Sequence, residues 1–117
     1  MFIHLYSKKE VLKLLRFIKE NQNAKFIIGH LTGMDLFSES SVNLKNVYFD
    51  TSSSNRIQGS DIKTAIDAFG YDHIVFGTDT PYAGIEEQID RIEQLNLSDH
   101  MKEHIYYLNA RNILALG

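Results

Sequence analysis

Four short apolar runs in this chain each lead to a residue able to bind a metal or move a proton. Phe2-Ile3 leads to His4, Phe26-Ile27-Ile28-Gly29 to His30, Val47-Tyr48-Phe49 to Asp50, and Ile74-Val75-Phe76-Gly77-Thr78 to Asp79, with Pro81 stopping the last run two residues on. His4, His30 and Asp79 offer two imidazole nitrogens and one carboxylate, a donor set that suits zinc, manganese or iron. About three protein ligands and an open position make a catalytic metal site, which brings deprotonation of a water near neutral pH and readies it to attack an electrophilic carbon. A further histidine or aspartate at the rim can carry the proton. Each residue also has a plainer reading. A lone histidine after a strand is commonly a hydrogen-bonded loop residue, Asp79 suits the N-cap of a turn, and Asp50 before Thr51-Ser52 suits an Asx-turn. The case for chemistry is the joint placement on successive runs.

Such placement requires the runs to be parallel strands with their carboxyl ends together, where α/β folds carry their sites. The first strand is expected over Phe2–Leu5. Ser7 and Glu10 have capping-box spacing for a helix from Lys8 to Asn21, with Val11, Leu12, Leu14, Leu15 and Ile18 as its apolar stripe. A second strand is expected over Lys25–Leu31, a short helix from Met34 to Ser40, and a loop to Asn46. The third strand is Val47–Asp50, followed by a polar loop over Thr51–Asn55. A helix over Gly59–Phe69 presents Ile62, Ala65, Ile66 and Phe69, and Gly70 is placed to close it in a left-handed conformation. The fourth strand is His73–Gly77, with a helix over Ile85–Leu95 carrying Ile85, Ile89 and Ile92. Ser98 and Asp99 both suit the N-cap of a helix to Leu108, and Asn109–Leu116 adds a last turn or two.

The order βαβαβαβαα implies crossover connections and a parallel sheet. A (βα)8 barrel takes roughly 250 residues, about 31 per unit, so four units in 117 residues make half a barrel. A small open sheet with helices on both faces is the alternative, and periodicity does not separate the two.

Composition narrows the function. The 117 residues, 44% hydrophobic, are expected to form one domain over 1–117. The net charge of −3 with interspersed signs disfavours binding nucleic acid through phosphate neutralisation. The absence of cysteine excludes disulfides, thiolate metal sites and a cysteine nucleophile. No apolar run approaches the roughly 20 residues that cross a bilayer, and no secretory signal follows Met1. The expectation is a cytoplasmic protein that does not engage membranes. The first strand starts at the extreme N-terminus, which suggests either a compact half-size protein or the back half of a longer one.

Gly29-His30-Leu31-Thr32-Gly33, Asn46-Val47-Tyr48-Phe49-Asp50-Thr51-Ser52 and Ile74-Val75-Phe76-Gly77-Thr78-Asp79-Thr80-Pro81 occur in the order used by the amidohydrolase superfamily. The chain resembles the amidohydrolase-related group that includes aminocarboxymuconate semialdehyde decarboxylase, and Asn109-Ala110-Arg111-Asn112-Ile113-Leu114 is similar to that group's C-terminal segment. The resemblance implies the second half of a TIM barrel, a (βα)4 unit with an extra C-terminal helix. It implies a metal-dependent enzyme that hydrolyses a C–O or C–N bond of a small molecule, or decarboxylates one, with zinc, manganese or iron as the divalent metal. By position, His4 is the implied metal ligand of the first strand here. His30 orients or protonates substrate, and Asp79 binds the metal and accepts a proton from the water. Asp50 is mainly structural, and His73, His100 and His104 match no ligand.

The His-x-His pair that the family carries on its first strand is missing, and this chain alone is expected to be inactive. Two open sheet edges imply a homo-oligomer that pairs them, or a longer parent chain. Two other readings stand beside the hydrolase. Thr78-Asp79-Thr80-Pro81-Tyr82 is similar to an element of TatD-like nucleases, although Gly77 replaces that motif's glutamate. A non-catalytic half-barrel assembly module is the other.

Overall fold

Val11, Leu14, Leu15 and Ile18 recur at the three-and-four spacing of one helix face, and they are the buried side chains of α1 (Lys8–Glu20). The computed structural model describes residues 2–3, 7–52, 58–77 and 85–114, with backbone alone at 2 and 85. Ser7 caps α1 by accepting from the Glu10 N–H at 3.2 Å, and its hydroxyl donates to the Glu10 carboxylate at 3.2 Å. The helix stops one residue earlier than expected, at Glu20, and the Asn21 N–H caps it on the Ile18 carbonyl. Leu12 does not join the stripe. It is 51% exposed, because one residue past Val11 is a rotation of about 100° off the buried face.

The strands are β1 (Phe2–Ile3), β2 (Phe26–Ile28), β3 (Val47–Asp50) and β4 (Ile74–Val75). They are all parallel and lie in the spatial order β1-β2-β3-β4, with Ile3 opposite Ile28, Ile28 opposite Phe49, and Phe49 opposite Ile74. Alternation along each strand sorts the two faces. Phe26, Ile28, Val47, Phe49 and Ile74 are at most 1% exposed and pack under the helices. Ile27, Tyr48 and Asp50, on the other face, are half-buried. Phe49 is held between two helices. Its ring meets Phe37 of α2 (Met34–Glu39) edge-on at 5.4 Å and stacks on Phe69 of α3 (Gly59–Phe69) at 4.4 Å. Burying an aromatic side chain of this size contributes about 1.5–3 kcal/mol.

Helices α1, α2, α3 and α4 (Ile85–Glu93) contact one another in sequence order around one face of the sheet. Consecutive strand order with the helices on a single face is the arrangement of a TIM barrel. An open doubly wound sheet reverses its strand order and carries helices on both faces. The fold is therefore a partial TIM barrel, a (βα)4 arc. It is followed by α5 (Asp99–Glu103), a π-helical stretch over His104–Leu108 and α6 (Asn109–Leu114).

Several boundaries differ from expectation. The second strand stops at Ile28, and the chain turns sharply over Gly29–Leu31, closed by the Thr32 N–H on the Gly29 carbonyl at 3.2 Å. Gly70 has φ +94° but ψ 148°, outside the left-handed helical well. Helix α4 ends at Glu93, and Gln88 joins Ile92 among its buried side chains. The fourth strand is short because its ends are otherwise engaged. Tyr71–His73 form a 3-10 turn, the Phe76 N–H donates to the Ile105 carbonyl at 2.9 Å, and Asn109 Nδ2 donates to the Ile74 and Tyr71 carbonyls at 2.7 Å each. The outer edge of β4, expected to be open, is thus met at Ile74 and Phe76 by the C-terminal helices.

Candidate functional site

At the tip of β2 the backbone turns sharply. His30 has φ 60° and ψ 26°, and Leu31 has φ 55°. Two successive non-glycine residues in the left-handed region cost on the order of 1–2 kcal/mol each. Thr32 offsets part of this by donating twice to the Gly29 carbonyl, from its N–H at 3.2 Å and its hydroxyl at 3.0 Å. The turn takes His30 out of the strand pleat and brings its ring against the tip of β3.

There the polar groups interlock. The Ser52 N–H donates to Asp50 Oδ1 at 2.6 Å, which is the Asx-turn expected for Asp50. The Ser52 hydroxyl donates to the same oxygen. His30 Nδ1 hydrogen-bonds the Ser52 carbonyl, with the Ser52 hydroxyl 3.3 Å away. A carbonyl oxygen only accepts, so Nδ1 carries the proton in this bond and Nε2 is the basic nitrogen of the neutral ring.

The tip of β4 is tied to the same turn. The Thr51 N–H donates to the Val75 carbonyl at 2.9 Å, and the Thr51 hydroxyl accepts from the Gly77 N–H at 3.2 Å. Thr51 and Ser52 are 1% and 6% exposed. Gly77 is a glycine for room and not for backbone freedom. A Cβ there would stand 2.7 Å from Asp50 Oδ2 and 2.9 Å from the Ser52 Cβ.

Of the residues singled out from sequence, His30 and Asp50 are therefore brought together through Ser52. His4 and Asp79 lie outside the described residues, and among the described residues no group of three or more histidine, cysteine or acidic side chains is placed to hold a metal ion. His73 sits at the amino end of β4, bonded through Nδ1 to the Val47 carbonyl at 2.7 Å and stacked on Tyr48. His100 and His104 form a separate cluster with Tyr71. The Asx-turn of Asp50 with Ser52 is legible in the sequence, whereas the contacts of that turn with His30 and Gly77 are not.

Polar groups gathered at the carboxyl ends of consecutive parallel strands, with helices on the opposite face, define a TIM-barrel-type α/β protein. The family model described as Amidohydrolase matches residues 4–116, and the chain belongs to that family. No curated protein matches it by sequence. Among solved structures it is similar to a dihydroxybenzoic acid decarboxylase from a Polaromonas species with bound manganese and the inhibitor 2-nitroresorcinol, at a TM-score of 0.74 and 23% identity over 92% of this chain and 39% of that one. An amidohydrolase from Burkholderia multivorans with bound zinc superposes at 0.71 with 15% identity, over 97% of this chain and 52% of that one. An amidohydrolase 2 from Bifidobacterium longum subsp. infantis superposes at 0.73 with 18% identity, over 96% of this chain and 48% of that one. The chain thus spans between two-fifths and about half of the length of these relatives. Among the described residues no helix is long and apolar enough to cross a membrane.

Proposed function

We propose that this chain is the C-terminal half-barrel of a metal-dependent enzyme of the amidohydrolase type, acting on a small molecule by hydrolysis of a C–O or C–N bond or by decarboxylation. The observation that carries this reading is the convergence at three strand tips, with His30 just past β2 bonded to the Asp50–Ser52 turn at the end of β3, and that turn bonded to Gly77 just past β4. Gly77 leads directly to Thr78-Asp79.

In this reading His4 and Asp79 would hold a divalent cation, zinc, manganese or iron, consistent with their nitrogen and oxygen donors and with the manganese and zinc of the similar structures. The cation supplies Lewis acidity that brings deprotonation of a water to near neutral pH. Asp79 would be the carboxylate able to accept a proton there. His30, basic at Nε2 while the ring is neutral, orients the substrate or exchanges a proton with it. The missing ligand pair comes from a longer parent chain, or two half-barrels assemble to supply a closed mouth.

Elemental analysis of the purified protein tests this. A complete enzyme is expected to retain one divalent metal per site, and His4→Ala to lower that content. A metal-free, stable oligomer of the 117-residue chain, whose parent also purifies without metal, would overturn the reading in favour of an assembly module.

A further inference from the structure

We propose that the Asp50–Ser52 turn is a positioning device for both neighbouring strand tips: it holds His30 with its proton on Nδ1, and it seats Gly77, the residue from which the sequence leads to Asp79, against the same turn. The inference rests on the proposed catalytic roles of His30 and Asp79.

Asp50 is itself poorly placed to serve as an acid or base. Its Oδ1 accepts twice from Ser52, and its Oδ2 faces the position that a Cβ at Gly77 would occupy. Those bonds have two consequences. They fix the Ser52 carbonyl, the group against which His30 Nδ1 is set. They also leave the intervening Thr51 buried, with its N–H on Val75 and its hydroxyl on the Gly77 N–H. One carboxylate thereby orients an imidazole on one side and a strand end on the other. Groups that orient a functional histidine act through its tautomer and ring direction, and removing such a group costs about 10- to 100-fold in activity at metal sites.

The two effects are separable from a general loss of structure. Asp50→Asn keeps an oxygen that accepts from the Ser52 N–H. Asp50→Ala keeps neither oxygen. Ser52→Ala loses the hydroxyl but retains the carbonyl.

The test is long-range 1H–15N spectroscopy of the His30 ring in the 117-residue chain, assigned by loss of the signals in His30→Gln. A neutral ring protonated at Nδ1 is expected, retained in Asp50→Asn and Ser52→Ala and mixed in Asp50→Ala. A wild-type ring protonated at Nε2 overturns the proposal without recourse to any variant, as does an unchanged Nδ1 tautomer in a folded Asp50→Ala. Should Asp50→Ala fail to fold, Gly77→Ala takes its place. The added Cβ must displace the turn and move the His30 signals, and unmoved signals overturn the proposal. In the complete enzyme, Asp50→Ala should lower kcat about 10- to 100-fold with KM little changed, and Asp50→Asn should recover most of it. If His30→Asn leaves turnover intact, the catalytic reading fails, while the tautomer measurement, which needs no turnover, still decides the positioning.

Discussion

Two histidine clusters in this molecule are built from similar parts and sit at opposite ends of the sheet. At the carboxyl tips, His30 bonds through Nδ1 to Ser52, which bonds to Asp50. At the amino end of β4, His104 bonds through Nδ1 to Asn109 Oδ1 at 3.0 Å, and Asn109 spends both amide hydrogens on the Tyr71 and Ile74 carbonyls. Because those hydrogens are committed, His104 must donate, so both rings carry their proton on Nδ1. A fixed tautomer is therefore not itself a mark of catalysis. What differs is the backbone. His30 stands in a left-handed turn that brings its ring to the mouth of the strand arc, whereas His104 lies on a helix with ordinary dihedrals, φ −61° and ψ −50°. Strain kept at one histidine and absent from the other is the pattern expected where position matters more than stability.

The largest effect that would sharpen this contrast is on turnover. In the complete enzyme, Asp79→Ala should abolish activity while the circular dichroism spectrum is unchanged, and retained activity would remove Asp79 from the mechanism. His30→Asn keeps a side chain that tolerates the left-handed turn, so stability should move by less than about 1 kcal/mol while kcat/KM falls roughly 10²- to 10⁴-fold, the usual worth of a general acid or base. His104→Gln should leave turnover within about twofold. Comparable losses at the two histidines would erase the distinction.

Next in size is the structural cluster. Asn109 is 2% exposed, and Asn109→Ala strips the donors from two carbonyls and the acceptor from His104. At about 1–3 kcal/mol for each buried group left unsatisfied, chemical denaturation should show a loss of about 3 kcal/mol. A loss under about 1 kcal/mol would mean that water replaces the amide and that the edge of β4 is not held this way.

The contrast also shows what was legible from sequence. The strand and helix order, the stripe at Val11, Leu14, Leu15 and Ile18, and the Asx-turn at Asp50 all follow from local pattern, because spacing and side-chain chemistry within a few residues decide them. The expected strand through Leu31 stops at Ile28: nothing in the local sequence of Gly29-His30-Leu31 forces the turn, and contacts made in the folded sheet decide where the strand ends. Leu12 falls outside the stripe because membership depends on angle around the helix as well as on hydrophobicity. The partnership of Ser52 with His30, and the approach of Gly77 to Asp50, join residues more than twenty positions apart and depend on strand register, which is invisible until the sheet exists. His4 and Asp79, the expected metal ligands, lie outside the described residues.

The smallest expected effect separates burial from bonding. The Tyr106 hydroxyl is shut off from solvent with no hydrogen-bond partner among the described residues, while its ring packs edge-on against Phe76 at 5.2 Å. Tyr106→Phe keeps the ring contact and removes a polar group that gains nothing, so at pH 7 stability should be unchanged or slightly raised. Burial, with the Glu93 and Asp90 carboxylates adding to it, pushes the Tyr106 phenol above the usual tyrosine value, and burial followed by Asp72 does the same for Tyr48. The folded state thus favours the neutral phenols. As pH rises past about 10, the ordinary tyrosine value, the unfolded chain releases these protons first. Stability that is fully present below that pH is then lost until the folded groups ionise as well. Tyr106→Phe removes its share, so denaturation midpoints measured between pH 9 and 11 should fall less steeply in the variant than in the wild type. Parallel curves would place the phenol in contact with water or with a partner, and a clear loss at pH 7 would give the hydroxyl a hydrogen bond.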